Sequence, residues 1–178
     1  MFFLLLMVLM FFGLVLQHYV GAFQGFGGQI LLLPMIFFYA AAALPLWGML
    51  AAAFAAGLMW ECLSNIPIEG ESEMIFGWSI MVYAALGAVM NGLHPLFLRG
   101  RWQFHCVVAG LLTSLLVLIE YVVLTFRREP FAFIWPTEIW ARVLSSGLVV
   151  VLISPFLFLT LNWIGRRLGH FEKSRYSD

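Results

Sequence analysis

Long apolar runs make up most of this chain, and the short segments between and after them carry most of its charged residues. Six runs approach or exceed the roughly 20 residues that a helix needs to cross a bilayer, namely 2–22, 30–44, 45–63, 74–93, 104–126 and 139–164. They are continuous rather than alternating, which favours helices over barrel strands. The pattern predicts an all-α integral membrane protein, with six transmembrane helices in one bundle and a basic tail at 165–178.

Composition supports a membrane environment. The 178 residues are 63% hydrophobic and 10% charged, with a mean hydropathy of +1.00. So few polar groups cannot cover the surface of a water-soluble globule. The formal net charge is zero and there is no Lys/Arg-rich segment of the kind that binds phosphate backbones, so we expect contacts with membrane lipids and none with nucleic acid.

The positive charges predict the orientation of the bundle. With six spans both termini lie on one side, and that side collects more basic residues than the other: Arg99, Arg101, Arg166, Arg167, Lys173 and Arg175, against Arg127 and Arg128. Since positive charge concentrates on the cytoplasmic side, both termini are predicted to be cytoplasmic in a multi-pass protein of the bacterial inner membrane.

Among the Asp, Glu, Lys and Arg residues, three fall inside the predicted spans, and all three lie in the outer half of the membrane. They are Glu61 in the third span, Glu120 in the fifth and Arg142 in the sixth. Charged groups in hydrocarbon usually face the bundle interior and pair with one another. We therefore expect a polar cluster that joins helices or contacts a ligand or partner; the alternative is that Glu61 and Arg142 reach the interface and only Glu120 is buried.

Small residues recur every four positions on two neighbouring spans. Such faces let helix backbones approach closely, so the third and fourth spans are predicted to form a tight antiparallel hairpin. The proposed packing face consists of Gly48, Ala52 and Ala56 on one span and Ala84, Ala88 and Gly92 on the other.

Residue patterns of known catalytic and metal sites are scarce. The chain has no GxSxG, HExxH or phosphate-binding glycine loop, so no catalytic residue, cofactor or metal is predicted. Cys62 and Cys106 have no ligand spacing and are interpreted as packing residues. The four histidines form no opposed pair at one depth, which argues against haem, whereas the intramembrane carboxylates leave a transport function open.

Several stretches resemble the rod shape-determining protein MreD family. The resemblance covers roughly residues 29 to 168 and runs from "GQILLLPMIFFYAAAALP" through "AAGLMWECLSNIPIEGESEMIFGWSIMVYAALGAV" to "EIWARVLSSGLVVVLISPFLFLTLNWIGRR". Glu61 takes the place of the family's aspartate in the third span, and Glu120 in "LVLIEYVV" corresponds to a second acidic residue typical of the fifth.

The resemblance implies a non-enzymatic membrane scaffold of the bacterial cell-elongation complex. Such a protein binds MreC directly and is linked indirectly to MreB and the elongation peptidoglycan synthases. It also implies a fold similar to the S components of vitamin (ECF-type) transporters. That similarity supplies the alternative, in which Glu61, Glu120 and Arg142 line a pocket for a small polar ligand.

Overall fold

A computed structural model describes residues 2–20, 22–23, 28–64, 77–98, 102–127 and 137–167. The described part contains seven α-helices: α1 (Phe2–Val20), α2 (Leu32–Ala43), α3 (Leu46–Ser64), α4 (Trp78–Gly92), α5 (His94–Leu98), α6 (Trp102–Arg127) and α7 (Thr137–Arg167). Two short strands, β1 (Ala22–Phe23) and β2 (Gly28–Gln29), pair antiparallel between α1 and α2.

Three helices are long and apolar enough to cross a membrane: α1 over Phe2–Tyr19, α6 over Gln103–Val123 and α7 over Thr137–Gly165. The helices α2, α3 and α4 are apolar but shorter in their hydrophobic extent. The 12 residues of α2 reach about 18 Å, well short of a hydrocarbon core of about 30 Å. The protein is therefore helical and compatible with a membrane location. The predicted tail lies mostly outside the described residues.

The boundary between α2 and α3 follows from Pro45. A residue that precedes proline is pushed out of the helical region of backbone space, and Leu44 is extended, with φ −98° and ψ 152°. The chain then starts a new helix at once, since the Met49 N–H donates to the Pro45 carbonyl at 2.9 Å. One proline thus divides a continuous apolar run into two helices.

Helix α2 lies at the centre of the bundle and contacts each of the other six helices. Its residues from Leu33 to Ala43 are all buried. Two aromatic contacts fix its rotation: the Tyr39 ring packs edge-on against Phe158 of α7 at 5.1 Å, and the Phe37 ring does the same against Tyr83 of α4 at 5.1 Å. Edge-to-face pairs of this kind add specificity to the burial of apolar area.

Contacts between helix ends show that neighbouring helices alternate in direction. Gln17, near the end of α1, meets Leu33 at the start of α2, while Glu61, near the end of α3, meets Gly77 just before α4. The opposite end of the bundle holds the end of α2, the α4–α5 corner and the start of α6. We refer to these as the Glu61 end and the Asn91 end.

The structure places the helix-packing face differently from the sequence prediction. In α3, Ala52 and Ala56 are buried as expected, but the atoms nearest to a Cβ placed on Gly48 belong to Leu44 and Pro45, which immediately precede the same helix. In α4, Ala84 is half-buried, while Ala88 and Gly92 are exposed, and nothing lies within 4 Å of a Cβ placed on Gly92.

The reason for this correction is the rotation of α4. Its buried stripe consists of Tyr83, Leu86, Gly87 and Met90. Successive residues of an α-helix are about 100° apart, so the predicted face that begins at Ala84 is rotated by about 100° from the face that begins at Tyr83. Close contact with α3 instead occurs at Gly57, where an added Cβ would lie 2.6 Å from the Ile80 backbone.

A second close contact, which the sequence analysis missed, joins α6 to α7. A Cβ on Gly110 would lie 2.8 Å from the Gly147 carbonyl oxygen, and a Cβ on Gly147 would collide with the Ser114 hydroxyl. The Ser114 hydroxyl donates to the Val143 carbonyl at 3.1 Å. Since Gly110 and Ser114 are four residues apart, they form the small-residue spacing that brings membrane helices together.

Candidate functional site

Glu61 lies in the last turn of α3 and is 1% exposed. Both of its carboxylate oxygens accept a hydrogen bond from the Gly77 N–H at 2.9 Å, and Oε1 also accepts one from the Ser79 N–H at 2.9 Å. The first N–H groups of a helix have no partner within it and carry a partial positive charge. The buried carboxylate therefore caps the N-terminus of α4.

Gly77 makes this cap possible. Its φ of +101° lies in the left-handed region, which only glycine adopts at low cost. Nothing lies within 4 Å of a Cβ placed there, so the backbone conformation and not a lack of space favours glycine. This residue turns the chain into α4 where its own N–H and that of Ser79 reach Glu61.

Glu120 lies on α6 and has a different set of neighbours. Its carboxylate accepts a hydrogen bond from the Trp60 side chain, and Arg142 of α7 is close enough to interact with it electrostatically. Tyr83 of α4 also interacts electrostatically with Glu120. The residues around this carboxylate thus come from α3, α4 and α7.

Of the three predicted residues, Glu120 and Arg142 are close enough to interact electrostatically. The hydrogen bonds described for Glu61 go to the backbone that begins α4, although its neighbour Trp60 contacts Glu120. Arg142 is exposed, two residues after the exposed Trp140, near the start of α7. Its carbonyl accepts hydrogen bonds from the hydroxyls of Ser145 and Ser146 at 3.2 and 2.8 Å.

A second polar group occupies the Asn91 end and was not singled out from the sequence. The Asn91 side-chain amide donates to the carbonyls of Ala41 and Leu44, each at 2.8 Å, and the His94 ring contacts the Ala42 carbonyl at 2.6 Å. These carbonyls end α2 and have no partner within it. The signal available in the sequence for this group was the presence of polar residues near a helix end in a strongly apolar chain.

The opposite end of α2 is also held by a side chain from another helix. The side-chain amide oxygen Oε1 of Gln17, on α1, accepts a hydrogen bond from the Leu33 N–H at 3.3 Å. Gln17 is 5% exposed. Both ends of the central helix are therefore capped by neighbouring helices.

The described histidines bond to backbone carbonyls. His18 contacts the Leu14 carbonyl at 3.3 Å and His105 contacts that of Leu93 at 3.0 Å. Within the described residues no group of three or more His, Cys, Asp or Glu side chains could hold a metal ion. His170 lies outside the described residues, and the two cysteines are unpaired, with Cys62 exposed and Cys106 buried.

No family model, curated protein or solved structure matches this chain.

Proposed function

We propose that the protein is a non-enzymatic membrane scaffold of the bacterial cell-elongation complex, as its resemblance to the MreD family implies. In this role it binds MreC directly and connects indirectly to MreB and the elongation peptidoglycan synthases. It would thereby help to maintain cell shape and direct lateral peptidoglycan synthesis.

The main support for this proposal is that buried polar side chains bond to the ends of neighbouring helices. Glu61 bonds to backbone N–H groups at the start of α4, while Gln17 and Asn91 bond to backbone groups at the two ends of α2. Such contacts fix helices relative to one another, because each satisfies a helix end that has no internal partner. A fixed arrangement of helices suits a protein whose task is to present a constant surface to partners.

We further propose that the chain crosses the inner membrane six times, with both termini in the cytoplasm and a fold similar to that of S components. The alternating directions of neighbouring helices support this arrangement. In it, the Glu61 end faces away from the cytoplasm. Helix α7 carries exposed tryptophans at both ends, Trp140 and Trp163, about 34 Å apart along the helix. Aromatic residues favour the two membrane interfaces, and this separation suits one crossing.

The exposed small residues of α4 are a candidate surface for MreC. Ala88 is exposed, so Ala88→Leu should leave the melting temperature of the isolated protein unchanged. If a partner helix packs there, the same substitution should reduce recovery of MreC at least severalfold, since a leucine prevents close approach. Ala141→Leu, on the exposed face of α7, is the matched control and should leave recovery unchanged.

A second candidate function is that of a small-molecule-binding membrane component of a transporter. It is favoured by the meeting of Trp60, Tyr83, Glu120 and Arg142 from four helices. Two experiments distinguish the scaffold from the transporter component: co-purification with MreC, and a thermal-shift screen of vitamins on the purified protein. Recovery of MreC with no vitamin response supports the scaffold, and a vitamin that raises the melting temperature without MreC recovery contradicts it.

A further inference from the structure

Tyr83 carries a buried hydroxyl that the packing of α4 does not satisfy. The residue is 1% exposed, and its ring is held edge-on against Phe37 of α2. Among the described residues, none makes a hydrogen bond to its hydroxyl oxygen. Buried hydroxyl groups in proteins are nearly always hydrogen-bonded, to protein or to ordered water, so this one needs a partner.

A charged acceptor that interacts with Tyr83 lies on the neighbouring helix α6. Glu120 interacts electrostatically with Tyr83, and it accepts a hydrogen bond from Trp60. A carboxylate has about four acceptor positions on its two oxygens, so one bond from Trp60 leaves acceptor capacity. A donor on α4 therefore lies near an incompletely used acceptor on α6, without a direct hydrogen bond between them.

The charges around this position determine what can bind there. Glu120 disfavours an anion, and Arg142, which interacts with the same carboxylate, disfavours a cation. A neutral molecule that both donates and accepts hydrogen bonds fits instead. Because Tyr83 is almost completely enclosed, that molecule must be small. Buried water has these properties and typically makes about three hydrogen bonds to such groups.

We propose that one water molecule binds between the Tyr83 hydroxyl and the Glu120 carboxylate. Tyr83 donates to the water and the water donates to Glu120, so that α4 and α6, which pack against each other, gain a polar link. With the bond from Trp60 the link extends to α3. The proposal concerns the interior of the bundle and does not depend on the partner named above.

Tyr83→Phe in the full-length protein in detergent gives the first test. Phenylalanine keeps the ring and its contact with Phe37 and removes only the hydroxyl. If water joins the hydroxyl to Glu120, the substitution should lower the melting temperature by several degrees. If the hydroxyl has no partner, its removal relieves a desolvation cost, and an unchanged or higher melting temperature would overturn the proposal.

A double-mutant cycle identifies the other end of the link. Tyr83→Phe and Glu120→Gln should be non-additive in their shifts of the melting temperature, because each disrupts the same network. Tyr83→Phe combined with Thr160→Val is the control pair and should be additive, since the exposed Thr160 bonds only within α7. Additivity in the first pair would show that the Tyr83 hydroxyl is satisfied elsewhere.

A high-resolution density map provides a test that does not depend on the stability of any variant. A peak within hydrogen-bonding distance of both Tyr83 Oη and a Glu120 carboxylate oxygen is the expected result. A direct bond between these two oxygens, or continuous packing that leaves no room for water, would refute the proposal.

Discussion

At the residue scale, the buried polar groups of this protein act mainly at helix ends. Glu61 bonds to the start of α4 and Asn91 to the end of α2. The sequence singled out Glu61 as a carboxylate in an apolar segment, but its partners are backbone N–H groups about 16 residues away, which no side-chain pattern reveals. Its expected pairing with Arg142 remains a prediction. The described hydrogen bonds alone account for the burial of Glu61.

The first prediction concerns Glu61→Gln. An amide keeps one acceptor oxygen. It loses the negative charge that interacts with the N-terminus of α4, and it also loses one of the charge-assisted hydrogen bonds. We expect the free energy of unfolding to fall by about 1 to 3 kcal/mol. Chemical or thermal unfolding in detergent measures this loss.

Glu138→Gln is the matched control, because Glu138 is exposed in the first turn of α7. It should lose less than about 1 kcal/mol, as expected for an exposed charge near a helix N-terminus. Equal losses at the two positions would contradict the buried cap. Strong non-additivity of Glu61→Gln with Arg142→Gln would favour the ion pair that the sequence suggested.

At the element scale, the sequence predicted the helices better than the surfaces they use. Continuous apolar runs and Pro45 suffice to place the α2–α3 boundary, because proline restricts the residue before it. The packing face of α4 was misplaced, because alanine recurs on the exposed face while the buried stripe contains the larger Tyr83 and Met90. Spacing identifies a face of a helix, but the rotation of that face depends on the neighbouring helices.

The second prediction compares two glycines of the α3–α4 hairpin. Gly57→Ala places a Cβ 2.6 Å from the Ile80 backbone, so we expect the helices to shift apart and the free energy of unfolding to fall by about 1 to 3 kcal/mol. Gly92→Ala meets open space and should leave stability equal or slightly increased, since alanine favours helix over glycine. Unfolding measurements on both variants test this comparison. An unchanged free energy of unfolding for Gly57→Ala would contradict the assigned contact.

At the scale of the whole molecule, the described helices other than the five-residue α5 run between the same two ends, and the central α2 contacts each of the other six described helices. The polar contacts divide accordingly, with Glu61, Glu120 and Arg142 towards one end and Asn91, His94 and His105 towards the other. This polarity makes the two ends of the molecule chemically distinct. The distribution of positive charge predicts that the Glu61 end faces away from the cytoplasm.

The third prediction uses the two native cysteines to test that direction. Cys62 is exposed beside Glu61, whereas Cys106 is buried near the start of α6, at the Asn91 end. A membrane-impermeant maleimide added to spheroplasts should therefore label the protein at Cys62, and Cys62→Ser should abolish the signal. Cys106 should react only after denaturation, because its thiol is enclosed by the bundle. Labelling of Cys62 that appears only after the membrane is permeabilised would reverse the proposed orientation, since the reagent would then have reached the Glu61 end from the cytoplasm.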